Sequence, residues 1–102
     1  MRMFVIFDLP TNTSTDKRNY SRFRKFLLKD GYQMLQYSVY CRIANGTEGV
    51  EKHINRITKS LPPRGNIRFF KITEKQFADM LFLVGNPSKT EEKITAEPQI
   101  IL

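Results

Sequence analysis

The sequence predicts an α+β fold: a single sheet in the order β-α-β-β-α-β, both helices on one face, and extra strands near the C-terminus. Three observations carry this reading. The run Met3–Phe7 is apolar without alternation, as in a central strand covered on both faces. Two later segments place apolar residues at helical spacing, one closed by Gly31 and the other by Pro62-Pro63. Between and beyond them lie runs rich in Tyr, Val, Ile and Phe, the residues that favour strands.

Taken in order, the first strand leads into the polar loop TNTSTD, where Thr13 or Ser14 can cap a helix and Asp16 suits its positive end. From Ser14 to Asp30 the residues Tyr20, Phe23, Phe26 and Leu27 recur at helical intervals. Residues 32–43, YQMLQYSVYCRI, are too long for one strand and read as two, broken near Gln36–Tyr37. Val39, Cys41 and Ile43 then face one way, and Ser38, Tyr40 and Arg42 the other. Val50, Ile54, Ile57 and Leu61 mark the second helix. Asn66–Ile72 is a further strand, TEKQF a turn, and Met80–Val84 another apolar run. The stretch 86–96 reads as a polar, mobile linker before the terminal PQIIL. The chain thus divides into a ferredoxin-like domain over residues 1–85 and a linker with a terminal strand over 86–102.

Two helices cover one face of such a sheet, yet the first strand is apolar on both. A second copy packed sheet to sheet across a twofold axis supplies the missing cover, so the sequence predicts a homodimer. The Ile-Ile-Leu end fits a strand added to the partner's edge; the alternative is a tail folded back on its own sheet.

Composition narrows the function. The chain has 102 residues, enough for one small domain, with 17 Lys and Arg against 10 Asp and Glu, a net charge of +7. Its pI near 9.8 points to a polyanionic partner, nucleic acid before membrane. A single cysteine, Cys41, excludes an internal disulfide and suits a reducing cytoplasm. The apolar N-terminal run is too short for a signal peptide core or a membrane span. No zinc spacing, phosphate-binding glycine loop or assembled Ser-His-Asp set is legible.

Two features carry chemistry. Asp8 ends the first strand directly before Leu9-Pro10. Its carboxylate either accepts hydrogen bonds from the loop amides of Thr11 to Thr13, or serves as half of a Mg²⁺ site completed by its twofold mate. Mg²⁺ takes few protein oxygens, keeps several waters, and can polarise a phosphodiester. On the first helix Arg18, Arg22, Lys25 and Lys29 form one stripe with no acid in it, flanked by Lys17 and Arg24. Like charges at i,i+4 each cost a few tenths of a kcal/mol, so the stripe is either an ordinary solvated face or a surface that tracks phosphates. His53 and Cys41 read as structural residues beside or within the apolar core.

The combination of FVIFDLP, RNYSRFRKFLLKDGYQMLQYSVYCRI and GNIRFFKITEKQF resembles the small CRISPR-associated endonuclease family, the second core protein of the spacer-acquisition module. The likeness spans about residues 1–85, and ITEKQFADMLFLVG is most similar to the type II branch. The resemblance implies a ferredoxin-like homodimer in which Asp8 and its dyad mate bind Mg²⁺, with metal-dependent cleavage of RNA or DNA. It also implies a heterohexameric complex in which the dimer bridges two CRISPR integrase dimers and helps hold an incoming DNA duplex, the prespacer. Phe7 departs from the pattern, since many members carry Tyr before the Asp. An RNA-recognition module of the same strand order, without catalysis, is the competing reading. It is suggested by FVIFDL and weakened by SVYCRI, which lacks the Gly-Phe pattern that stacks bases.

Overall fold

The computed structural model describes residues 1–87 and 99–100. The elements are β1 (Arg2–Asp8), α1 (Ser14–Lys29), β2 (Gln33–Gln36), β3 (Val39–Ile43), α2 (Gly46–Thr58), β4 (Asn66–Ile72), α3 (Glu74–Ala78), β5 (Leu81–Phe82) and β6 (Gln99–Ile100). The main sheet runs β2-β3-β1-β4 with every pairing antiparallel, the ferredoxin-like arrangement the sequence predicts.

Alternation along β1 builds two cores. Met3, Val5 and Phe7, with Leu9 just beyond, face the helices and pack with Phe23 and Leu27 of α1, Tyr40 of β3, and Val50 and Ile57 of α2. Full burial of a side chain of this size contributes about 1.5–3 kcal/mol, so this layer dominates the stability. Phe7 lies edge-on to Phe23, with ring centroids 5.4 Å apart, and stacks on Tyr40 at 5.6 Å. A phenol at position 7 would therefore extend into the helix-side core. On the opposite face Phe4 is buried with Cys41 and Phe77.

Helix α1 begins at a capping box: Thr13 Oγ1 accepts from the Asp16 amide at 3.0 Å, and Asp16 Oδ2 accepts from the Thr13 amide at 3.3 Å. It ends one residue before the expected boundary, with Asp30 as the cap and Gly31 at φ +93°.

Three expectations need correction. Helix α2 stops at Thr58, leaving Leu61 beyond it and about half exposed, and it buries Val50, His53 and Ile57 while Ile54 is 40% exposed. Its inner face is rotated toward His53 because the imidazole finds polar partners there. Arg56 Nη2 donates to His53 Nδ1 at 2.6 Å, and Arg56 Nε donates to Asp30 Oδ1 at 2.9 Å. While accepting from Arg56, Nδ1 cannot also donate across the 3.4 Å to Asp30. Burial lowers the His53 pKa below the usual 6.5, outweighing the pull of Asp30. The segment TEKQF is not a plain turn. It forms α3 through a second capping box, Thr73 with Gln76, and carries Phe77 onto the second face. Part of the cover assigned to a second copy thus comes from the chain itself.

Of the two expectations for the tail, this single chain shows the second, a fold back on itself, though not onto the main sheet. Gln99–Ile100 pairs in parallel with Leu81–Phe82 of the same chain, in a small sheet separate from the main one. The polar linker beyond residue 87 and the side chains of the Ile-Ile-Leu end lie outside the described residues. Among the described residues no helix is long and apolar enough to cross a membrane.

Candidate active site and nucleic-acid interface

Asp8 is exposed while Phe7 and Leu9, its chain neighbours, are buried. Alternation explains this: even positions of β1 point away from the helices, and Asp8 is the last of them. Across the strand pair Asp8 lies opposite Asn66 and Ile6 opposite Arg68. Strand β4 approaches this end closely because residue 65 is glycine at φ +106°. A Cβ there would meet Leu9 Cδ2 at 2.5 Å and the Asp8 carbonyl oxygen at 2.9 Å.

On the other flank β2 and β3 join through Tyr37–Ser38. Ser38 adopts φ +64°, a left-handed conformation that costs a non-glycine residue on the order of 1 kcal/mol. Its carbonyl accepts from the Phe7 amide at 3.1 Å, which ties the turn to the end of β1. The result is an open cleft of about 420 Å³ lined by Ile6, Phe7, Asp8, Ser38, Val39, Asn66 and Arg68.

The loop amides do not claim the Asp8 carboxylate. Thr13 is served by Asp16, and among the described residues Asp8 forms no side-chain hydrogen bond and no ion pair. The cleft thus holds one free carboxylate beside the amide of Asn66, the hydroxyl of Ser38 and the guanidinium of Arg68. Among the described residues no group of three or more His, Cys, Asp or Glu can hold a metal ion. One or two carboxylates plus hard oxygens, with the remaining positions left to water and phosphate, is the set that suits Mg²⁺.

The basic stripe is present as expected. Arg18, Arg22, Lys25 and Lys29 are exposed on α1 opposite buried Phe23 and Leu27, with Lys17 exposed beside them. None of the five forms an ion pair among the described residues. Arg18, Ser21, Arg22 and Lys25 line a shallow depression of about 270 Å³. Several cations elsewhere do have partners: Asp30 gathers Arg56 and Arg42, Asp16 takes Arg64, and Glu48 takes Lys52. Stripe and cleft do not form one site, because the stripe lies outside the helix layer and Asp8 points to the far side of the sheet.

Sequence reasoning missed Ser38, Asn66 and Arg68 in the cleft. The alternation Asn66, Arg68, Phe70 is visible in NIRFF, but the register that sets Asn66 against Asp8 is a property of the folded sheet. His53 is structural, as expected, and Cys41 is buried in the second core.

Comparison with known proteins adds an independent observation. The sequence pattern of the family described as CRISPR associated protein Cas2 matches residues 1–80. The chain is similar to the CRISPR-associated endoribonuclease Cas2 of Acidovorax ebreus (strain TPSY), 52% identical over 96 residues that cover 94% of each chain. It is also similar to the protein of that name from Ligilactobacillus salivarius (strain UCC118), 43% identical over the full length of both. Among solved structures it resembles the crystal structure of Streptococcus pyogenes Cas2 at pH 6.5. The TM-score is 0.56 at 25% identity, covering 78% of this chain and 98% of that one.

Proposed function

The chain belongs to the CRISPR associated protein Cas2 family, and from that premise we propose that it is a Mg²⁺-dependent endonuclease whose site is built from Asp8 of two protomers. The observation that carries the reading is the Asp8 carboxylate, unclaimed among the described residues, in a cleft that also holds Ser38, Asn66 and Arg68. The relatives' name, endoribonuclease, makes single-stranded RNA the first substrate to try. Bound there, Mg²⁺ supplies Lewis acidity and activates water. Asp8 anchors it through carboxylate oxygen, while Asn66 and Ser38 are placed to orient what the ion binds.

The homodimer rests on the Asp8 face of the sheet. Phe70 is 42% exposed and Ile43 45% exposed there, with Ile6 and Val39 half-buried beside them. Packing this face on a twofold mate covers that apolar surface and brings the two Asp8 residues toward the dyad. Light scattering should give twice the 12.0 kDa chain mass. Asp8→Asn should abolish cleavage while the dimer persists; cleavage at the wild-type rate by that variant would refute the site.

A second reading is favoured by a separate observation, the unopposed stripe of Lys17, Arg18, Arg22, Lys25 and Lys29. Here the dimer is a scaffold for spacer acquisition that binds duplex DNA by its phosphates and bridges two integrase dimers, with a C-terminal segment helping to dock them. Phosphate binding of this kind is sequence-independent and steeply salt-dependent, with a log–log slope of about −0.9 per phosphate neutralised. Arg18→Ala with Arg22→Ala should weaken duplex binding and flatten the slope by about 2. Unchanged affinity and slope would reduce the stripe to solvated surface. In the scaffold reading Asp8→Asn leaves acquisition near normal, because neither the stripe nor the dimer depends on that carboxylate. Comparing duplex DNA with single-stranded RNA by filter binding separates the scaffold from a non-catalytic RNA-binding module, and cleavage of the bound RNA separates that module from the nuclease.

A further inference from the structure

Two arginines lie on the Asp8 face of the sheet, and the chain treats them in opposite ways. Arg2 is 3% exposed and fully matched: Nη2 reaches Glu74 Oε1 at 2.7 Å, Nε donates to Oε2 at 3.0 Å, and the guanidinium sits 3.9 Å from the Phe77 ring centroid. Arg68 stands among apolar neighbours, opposite Ile6 and in sequence between Ile67 and Phe69, and has no carboxylate among the described residues. Asp8 is its diagonal neighbour across the β1–β4 pair, yet the two charges form no ion pair. Both line the same cleft. Opposite charges on diagonal positions of one strand pair, unpaired among the described residues and lining the same opening, leave room for a group that binds one by its anionic edge and the other through a cation.

We propose that Arg68 is the phosphate-holding residue of the Asp8 site, donating its guanidinium to non-bridging oxygens of the phosphodiester that is cleaved. The assignment rests on the nuclease reading of Asp8. A guanidinium presents paired donors matched to two oxygens of one phosphate, so it fixes orientation as well as charge. During hydrolysis the water oxygen forms the new P–O bond while the ester P–O bond breaks. The leaving sugar oxygen takes that electron pair, and the proton lost by water balances the one it gains. Throughout, the Arg68 guanidinium opposes the negative charge that builds on the non-bridging oxygens.

The test uses the full chain, with Lys71→Ala as control, since Lys71 lies on the same strand but faces the other side and its loss removes the same charge. The probe is single-stranded RNA. Without metal, in EDTA, Arg68→Ala should bind the probe about tenfold more weakly, with a salt slope smaller by about 0.7, and Lys71→Ala should not. With Mg²⁺, Arg68→Ala should cleave about 100-fold more slowly at saturating RNA. Added guanidinium at non-denaturing concentration should partly restore the rate, and Arg68→Lys should fall between. Wild-type binding and cleavage by Arg68→Ala, or losses matched by Lys71→Ala, would overturn the assignment. So would lost activity that tracks loss of the dimer by light scattering and is not rescued by guanidinium. An active Asp8→Asn variant would instead overturn the nuclease reading, leaving the metal-free binding measurement to decide Arg68 on its own.

Discussion

The two ends of the sheet's second face are built from the same strands with the same alternation, and they are finished differently. At the Arg2 end α3 folds over the sheet, and the buried guanidinium receives both a carboxylate and an aromatic face. At the Asp8 end the chain leaves a carboxylate and a guanidinium open to solvent in one cleft, beside a serine held at positive φ. A buried charge without a partner costs several kcal/mol, so the Arg2 end needs its cover for stability. Charges at the Asp8 end stay hydrated, cost the fold little, and remain available to a ligand. The contrast sets a covered, stabilising end of β1 against the end where the chemistry is proposed.

The sharpest way to break this division is Asp8→Asn. If the proposed metal site is correct, cleavage should fall by orders of magnitude, because a metal held there would lower the barrier by several kcal/mol. Stability should change by no more than about 0.5 kcal/mol, as for other exposed sites without partners. A urea melt displaced well beyond that would mean Asp8 is structural after all.

Phe77→Ala attacks the closed end. Phe77 is 3% exposed, with its ring 5.9 Å from Phe4, so truncation should cost about 3–4 kcal/mol in urea denaturation, much of a small domain's stability. At a temperature where the variant stays folded, metal-free RNA binding at the Asp8 cleft should be retained. Parallel loss of both would merge the two ends into one functional unit.

Glu74→Gln is the milder version. It removes the anion facing Arg2 but keeps the volume. Because Glu74 is 47% exposed and water can partly replace it, about 1–2 kcal/mol should be lost rather than the 3–5 typical of a fully buried pair. An unchanged melt would show that the Phe77 ring alone satisfies Arg2.

The smallest effects are in pH dependence. The Arg2 hydrogen bond holds the Glu74 carboxyl below its usual 4.5, so its contribution is complete above that value and is lost as pH falls below 4.5. Buried His53 has its pKa lowered from 6.5, so folding excludes a proton that the unfolded chain accepts, and stability declines as pH falls below 6.5. Thermal midpoints should therefore drop in two stages on acidification. The lower stage should be shallower in Glu74→Gln, and the upper one unaffected by it.

The local sequence determined most of the fold. MFVIF announces a strand with no polar face, Tyr20, Phe23 and Leu27 give α1 its inner side, and Gly31 ends it, because side-chain periodicity and caps act over a few residues. The sequence also marked Asp8, through its place at the end of that strand, and the charge stripe of α1. Even the T-x-x-Q box of α3 was present to be read, although its five residues passed for a turn. Beyond that reach, only the tertiary structure decided. It turned His53 inward where Asp30, from the end of α1, meets Arg56 of the same helix α2. It brought Asn66 and Arg68 beside Asp8, since strand register is set by pairing residues some sixty positions apart. It also paired Arg2 with Glu74 while leaving Arg68 without a carboxylate among the described residues. Sequence periodicity fixes which face a charged residue occupies, but whether that charge meets a partner or stays open depends on what the chain folds over it.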